Sequence, residues 1–416
     1  MKKALHILVL FVAVMAICLM SPLEAIAANT SKVTETSSAA SASKVTITTQ
    51  PTTQKEKAGD TVTFTVKATG KSLKYQWQSS ADGNTWKNCV SSTAKKATFT
   101  FSAKTSHSSN YYRCKITDAN GKVVYTKEVR LYVLGVVTQP ATQKVAVGEK
   151  VKYTVVATGA SKKYQWQSSS DGKTWKNCVS SSAKNATFTF TAKNSHSSNY
   201  YRCQIKDSGG NVIYTDVVRL YVLGVTKQPT GKTVVAGDAV KLTVKATGAS
   251  KVYQWQYSAD GKTWKNCVSS SAKNATFTFT GKTSHDGNYY RCRIKDSGGN
   301  VVYSETVRLY VLGITKQPVS KIVTTGRTVK FEVAATGNGL KYQWQTSSNG
   351  TTWTNCTSAS AKEATFTFTG KTSQSGSFFR CMITDNAGNV VYTIKAELTV
   401  NKQDPEWSDS TDTIWR

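Results

Sequence analysis

Between residues 45 and 134 apolar and polar side chains alternate in short runs, and the period of the alternation is two rather than the 3.6 of a helix. Val62, Phe64, Val66 and Ala68 point one way from polar neighbours, which predicts a strand with one buried face. In the next run Tyr75 and Trp77 share one face and Gln76 and Gln78 the other; Phe99 with Phe101, then Tyr112 with Cys114 and Ile116, then Val129 with Leu131 and Val133 extend the inward set. Turn residues punctuate these runs: Pro51 kinks the opening strand from Val45 to Gln50, and Gly59, Asp82 with Gly83, and Asn120 with Gly121 mark reversals. The pattern predicts about seven short strands in a two-layer antiparallel sandwich.

The whole pattern then returns at a fixed step of 89 residues: Cys89, Cys178, Cys267 and Cys356 keep it, as do Pro51, Pro140, Pro229 and Pro318. A period this long is a domain rather than a solenoid turn. The expected organisation is a leader over residues 1–27, a Ser/Thr/Ala-rich spacer over 28–44, domains over 45–134, 135–223, 224–312 and 313–400, and an acidic tail over 401–416.

Each copy resembles an immunoglobulin-like domain of the kind strung together in bacterial surface and secreted proteins. The residues that carry the resemblance are the kinked first strand, the core tryptophans Trp77, Trp166, Trp255 and Trp344 on the third strand, and Tyr112, Tyr201 and Tyr290 two residues before a cysteine, the pattern of a tyrosine corner. The fourth copy has Phe379 there, so its corner hydrogen bond is missing or replaced. The resemblance implies an all-β fold of four tandem immunoglobulin-like antiparallel β-sandwich domains; it leaves function open, because this fold hosts many unrelated roles.

Lys2 and Lys3, the apolar run from Ile7 to Met20, and Ala25-Ile26-Ala27 read as a signal peptide cleaved after Ala27. That places the product outside the cell, secreted or held noncovalently at its surface, with no later apolar stretch long enough to span a bilayer. Cys18 falls in the leader, and an even count of eight cysteines in an exported chain reads as four disulfides. In the resembled domains the first core cysteine sits on the second strand, where this chain has Val66, Val155, Val244 and Val333. The resemblance therefore moves the expected pairs to Cys89 with Cys114, Cys178 with Cys203, Cys267 with Cys292, and Cys356 with Cys381; free thiols and interchain links are the alternatives.

The net charge of +30 is spread as +9, +8, +8 and +5 over the four copies, against −2 in the tail. Such a field attracts polyanions, and an anionic cell-wall polymer, a glycan or a host surface component would each satisfy it. Strand alternation assembles a candidate binding face on the open side of one sheet: Gln76, Gln78, Trp86, Arg113, Arg130 and Tyr132 in the first copy, Trp175, Arg202, Arg219 and Tyr221 in the second, and Trp264, Arg291, Arg308 and Tyr310 in the third. Stacked rings with guanidinium and amide groups suit sugars bearing carboxylates or sulfates, and copies in series add avidity. The competing reading is that Trp86 covers the sheet and packs on Arg113 as a cation–π pair. In the fourth copy Met382, Glu397 and Thr399 replace Lys115, Arg130 and Tyr132.

Catalytic, metal and cofactor chemistry has little to stand on. His107, His196 and His285 lie in a Ser/Asn-rich loop without a recurring acid. Two thiols per copy, with a histidine in only the first three and Gln374 in the fourth, cannot furnish a repeated zinc site, and one aspartate in each Asp-Gly turn falls far short of a calcium shell. The expected function is a non-enzymatic adhesion or scaffold protein that binds anionic polymers multivalently, with a passive stalk as the alternative and a nonspecific nucleic-acid binder a distant third. The tail around Pro405 carries Trp407 and Trp415 and reads as a disordered end, with a docking segment or an acidic strap on a neighbouring basic domain as the alternative.

Overall fold

A computed structural model describes residues 44–403; the leader, most of the spacer and residues 404–416 lie outside it. The first repeat contains β1 (Thr46–Thr49), β2 (Gln54–Lys57), β3 (Thr61–Thr65), β4 (Lys67–Thr69), β5 (Lys74–Ser80), β6 (Lys87–Asn88), β7 (Thr98–Ser102), β8 (Tyr111–Thr117), β9 (Val123–Tyr125) and β10 (Val129–Thr138). One layer is the sheet β2-β10-β8-β5-β6, with β9 also on β8; the other pairs β1 with β4 and β3 with β7. This is an all-β immunoglobulin-like arrangement, and the helical segments among the described residues are short 3-10 turns.

The expected second strand is broken in two. At Val66 the ladder partner changes from β7 to β1, while the Val66 N–H donates to Ala97 O at 3.1 Å. The alternation survives the break, because Val62, Phe64 and Val66 all stay buried. Trp77 fills the centre of the core between Phe64 and Phe99, with ring centroids 5.7 and 5.8 Å away, and its indole N–H donates to Lys96 O at 3.0 Å. Burying so large a ring leaves one polar atom to satisfy, and the turn after β6 supplies the acceptor. Trp166, Trp255 and Trp344 repeat the arrangement with Asn185, Asn274 and Glu363 carbonyls.

Buried residues gather into four hydrophobic clusters. Consecutive residues of β10 belong to different ones: Val133 completes the first and Leu134 opens the second. The strand runs straight on, its first part paired with β8 and Gly135 to Thr138 paired with Val156–Thr158 of the next repeat. Val218–Lys227 and Val307–Lys316 bridge the later junctions in the same way, with Leu223 and Leu312 each buried in the next repeat along the chain. Glycine at the crossing is needed for close approach: a Cβ on Gly135 would overlap Thr105, and one on Gly313 would overlap Thr283. A second contact lies to the side, where Asn211 Nδ2 of the second repeat donates to Lys55 O of the first at 3.0 Å.

The disulfide expectation is corrected. The eight described cysteines are free, and the register explains it. Cys114 lies opposite Trp77 on β8, while the Cys89 N–H donates to Trp77 O at 2.9 Å from the other side. The two cysteines therefore flank the tryptophan strand, two strand spacings or about 10 Å apart, and a disulfide needs Cα atoms within about 7 Å. Cys178 and Cys203 flank Trp166, Cys267 and Cys292 flank Trp255, and Cys356 and Cys381 flank Trp344 in the same manner. Burial pushes the Cys114, Cys203, Cys292 and Cys381 thiols up to about 12, so they remain protonated core groups.

Candidate binding face

On the outer side of the large sheet the proposed face resolves into two separate stacks. In the first, the Arg113 guanidinium lies between Trp86, 4.0 Å from its carbon, and Tyr125, 4.4 Å away. Arg113 and Gln78 are cross-strand partners, and Arg113 Nε donates to Gln78 Oε1 at 3.0 Å. Trp86 is held in place by its own N–H, which donates to Gly83 O at 3.1 Å. The second repeat has Trp175, Arg202 and Tyr214 (4.2 and 4.2 Å), the third Trp264, Arg291 and Tyr303 (4.1 and 4.4 Å), and the fourth Trp353, Arg380 and Tyr392 (4.3 and 4.4 Å).

The second stack stands beside it. Arg130 lies over Tyr111 at 4.5 Å and Tyr132 at 5.4 Å, Arg219 over Tyr200 and Tyr221 at 4.6 and 5.2 Å, and Arg308 over Tyr289 and Tyr310 at 5.0 and 5.1 Å. The fourth repeat has instead Lys395 over Phe378 at 4.4 Å. Arg308 Nε donates to Gly287 O at 3.0 Å, whereas the buried Arg219 Nε finds no acceptor.

These contacts use up much of the chemistry that was assigned to a ligand. Gln76 donates its amide to Trp77 O and Cys89 O at 2.9 and 3.0 Å, and Gln78 is shared between Arg113 and Asn88. Both faces of each first-stack guanidinium are covered, as the competing cation–π reading expected. The rim stays open, where Tyr125, Tyr214, Tyr303 and Tyr392 are each almost half exposed. Sequence reasoning missed these tyrosines, although they keep the 89-residue step like the tryptophans.

The other candidates resolve into local structure. His107 Nδ1 accepts the Lys104 N–H at 3.3 Å and its ring stands edge-on to Phe101 at 5.4 Å; burial, then the Lys104 charge, hold its pKa below the ordinary histidine value. Gln374 Oε1 accepts the Lys371 N–H in the fourth repeat at 2.9 Å, so an amide does the same work. Asp82 Oδ1 accepts the Asn84 and Thr85 N–H groups at 2.9 and 2.7 Å, and Asn349 makes the matching bonds to Thr351 and Thr352 without any charge. Burial pushes the Tyr112 phenol up to about 12, with the Asn110 side chain acting in the opposite direction. Where Phe379 lacks the hydroxyl, Ser377 stands in place of the asparagine.

The family described as "Domain of unknown function (DUF8696)" matches residues 37–135, 137–224 and 226–313. No curated protein matches the chain. Among solved structures, immunoglobulin domains 1–5 of Sidekick-1 are 12% identical, cover 86% of this chain and 99% of their own, with a TM-score of 0.27. Extracellular domains 3–5 of Drosophila OTK are 20% identical over 64% of this chain and 97% of theirs, with a TM-score of 0.28. The insect immune protein hemolin is 13% identical over 86% and 100%, with a TM-score of 0.29.

Proposed function

We propose that this chain, which belongs to the DUF8696 family of domains of unknown function, is a non-enzymatic scaffold made of four immunoglobulin-like units in series, exported by a bacterium and attached to anionic polymers at or near a cell surface. The strand that passes unbroken from one core into the next carries the scaffold reading. A junction made of ladder hydrogen bonds, with a buried leucine on the far side, transmits bending and load where a flexible linker would not. Among the described residues no helix is long and apolar enough to cross a membrane.

Attachment, in this reading, is a distributed property. The lysine-rich surfaces supply a long-range attraction to polyanions such as wall polymers or sulfated and carboxylated glycans, and series repetition turns weak sites into avidity. The first-stack arginines stiffen the sheet, and the rim tyrosines with the second-stack arginines are the groups left to add a specific contact. A passive stalk is the second reading, favoured by the internal engagement of Trp86, Arg113 and Gln78.

Retention of the full chain on immobilised polysulfated glycan, as salt rises from about 0.05 to 0.5 M, separates the two readings, since screening shortens the field to a few Å over that range. Distributed attachment predicts strong retention that falls steeply with salt. Replacing Arg130, Arg219 and Arg308 together by Gln then weakens it more than replacing three exposed lysines. No retention near 0.15 M salt overturns attachment and leaves the stalk.

A further inference from the structure

The fourth repeat exposes an apolar strip that the others lack. Val319, Ile322 and Ile394 are 62%, 74% and 61% exposed. The matching positions hold Thr52, Ala141 and Thr230, then Lys55, Lys144 and Thr233, then Lys127, Asp216 and Glu305. The three apolar residues lie on adjoining segments: the Ile394 N–H donates to Gln317 Oε1 at 3.0 Å, and Ile322 pairs with Thr399 on the next strand. Bare apolar patches of this kind on an otherwise lysine-rich surface mark contact sites.

In the first two repeats the position of Ile322 sits under the next repeat. Lys55 O accepts the Asn211 amide, and the approach is so close that a Cβ on Gly209 would come within 2.8 Å of Lys55 Cβ; Gly298 stands in the same relation to Lys144, at 2.6 Å. After the fourth repeat the chain changes character. Residues 404–416 carry Asp404, Glu406, Asp409 and Asp412 against Arg416, with Trp407 and Trp415.

The chain enters that segment beside the strip. Asn401 pairs with Thr324, two residues from Ile322, and the Thr325 N–H donates to Asn401 O at 2.9 Å. From Asn401 an extended chain reaches Trp407 within about 20 Å. Next to the strip is a cavity of about 260 Å³ lined by Lys316, Gln317, Val319, Lys321, Lys330 and Glu332. Glu332 already accepts from Lys316 and Lys330, so the lining keeps an excess of two positive charges for an acidic visitor.

We infer that residues 404–416 fold back on the fourth repeat of their own chain, setting Trp407 on Val319 and Ile322 with the flanking carboxylates at Lys316, Lys321 and Lys330. The segment then covers the site that a hairpin of the next repeat covers earlier in the chain, and it withdraws several lysines from any anionic partner.

Zero-length carbodiimide crosslinking of the full chain, read by peptide mass spectrometry, tests this. The expected result is that segment carboxylates join Lys316, Lys321 and Lys330 at least five-fold more often than lysines of the first three repeats, within single chains and independently of protein concentration. Ile322→Lys, which installs the residue that Lys55 and Lys144 already show this strand accepts, and Trp407→Ala should each lower that yield several-fold. Crosslinks scattered over all repeats, a yield that rises in Ile322→Lys as charge alone would dictate, or crosslinks only between chains would overturn the proposal.

Discussion

Trp353, Arg380 and Tyr392 of the fourth repeat reproduce the first stack of the other three, whereas Glu397 and Thr399 replace the arginine and tyrosine of the second. The fourth repeat nevertheless keeps the same ladder, the same buried tryptophan and the same flanking thiols. The first stack therefore belongs to the fold: the guanidinium ties Gln345 to two rings, and no neighbouring repeat is involved. The second stack is dispensable for folding, since the fourth repeat keeps its ladder and core without that arginine and tyrosine. His107, Asn110 and Asp82 teach a related lesson, since Gln374, Ser377 and Asn349 replace them together in the repeat whose surroundings differ.

The sharpest way to break this comparison is at the junction. Leu312 leaves the third repeat on a continuing strand and is fully buried in the fourth core. Leu312→Ala should cost the fourth repeat about 2–5 kcal/mol and the third much less, while Leu223→Ala should transfer the same loss to the third. Denaturant unfolding followed by repeat-resolved hydrogen exchange checks it. If each substitution weakened the repeat before the junction instead, the shared strand would not be coupling the cores in the direction the packing indicates.

Alkali should separate the repeats next. Burial raises Tyr112 and Tyr201 to about 12 and also raises Tyr290, while Phe379 has no proton to lose. A raised acid pKa means that above the ordinary phenol value, about 10, the unfolded chain has released a proton that the folded one keeps. That stability is complete below about pH 10 and is lost as pH climbs toward the folded value. The buried thiols add the same trend from about pH 9 in all four repeats. The first three repeats should therefore open at lower pH than the fourth in repeat-resolved exchange, and Phe379→Tyr with Ser377→Asn should erase part of the difference.

Much of this architecture is legible from alternation and spacing alone. Val62, Phe64, Trp77, Cys114 and Leu131 are inward because a period of two leaves them no other face once one is buried. The cysteines show where such reading stops. The resemblance paired Cys89 with Cys114, and both do pack in or against the first core, but Trp77 stands between them, because strand order is set by nonlocal pairing. The candidate face was legible as a list of outward residues; its division into two stacks depends on how Trp86 folds over from the hairpin and on Tyr125, whose outward position gave no chemical motive to select it. Glycine at 135, 224 and 313 was visible as a repeat, yet only the approach of Thr105, Asn194 and Thr283 explains it.

The smallest expected effect concerns a feature that only the fourth repeat has. Where Thr65, Thr154 and Thr243 meet a cross-strand threonine hydroxyl, Glu332 instead faces Lys316, at 2.7 Å, and Lys330. Those two lysines hold its carboxyl down at about 2. A depressed carboxyl pKa contributes stability above the ordinary glutamate value, about 4.3, and loses it as pH falls toward 2. All three side chains are substantially exposed, from 36% to 58%, so water and salt screen the pairs and the neutral-pH effect should be slight. Glu332→Thr should thus leave the midpoint of the fourth repeat nearly unchanged at pH 7, and shift its acid unfolding only in low salt. A large, salt-independent shift would mean that the acid anchors the strand, and the fourth repeat would then differ from the others inside its fold as well as on its surface.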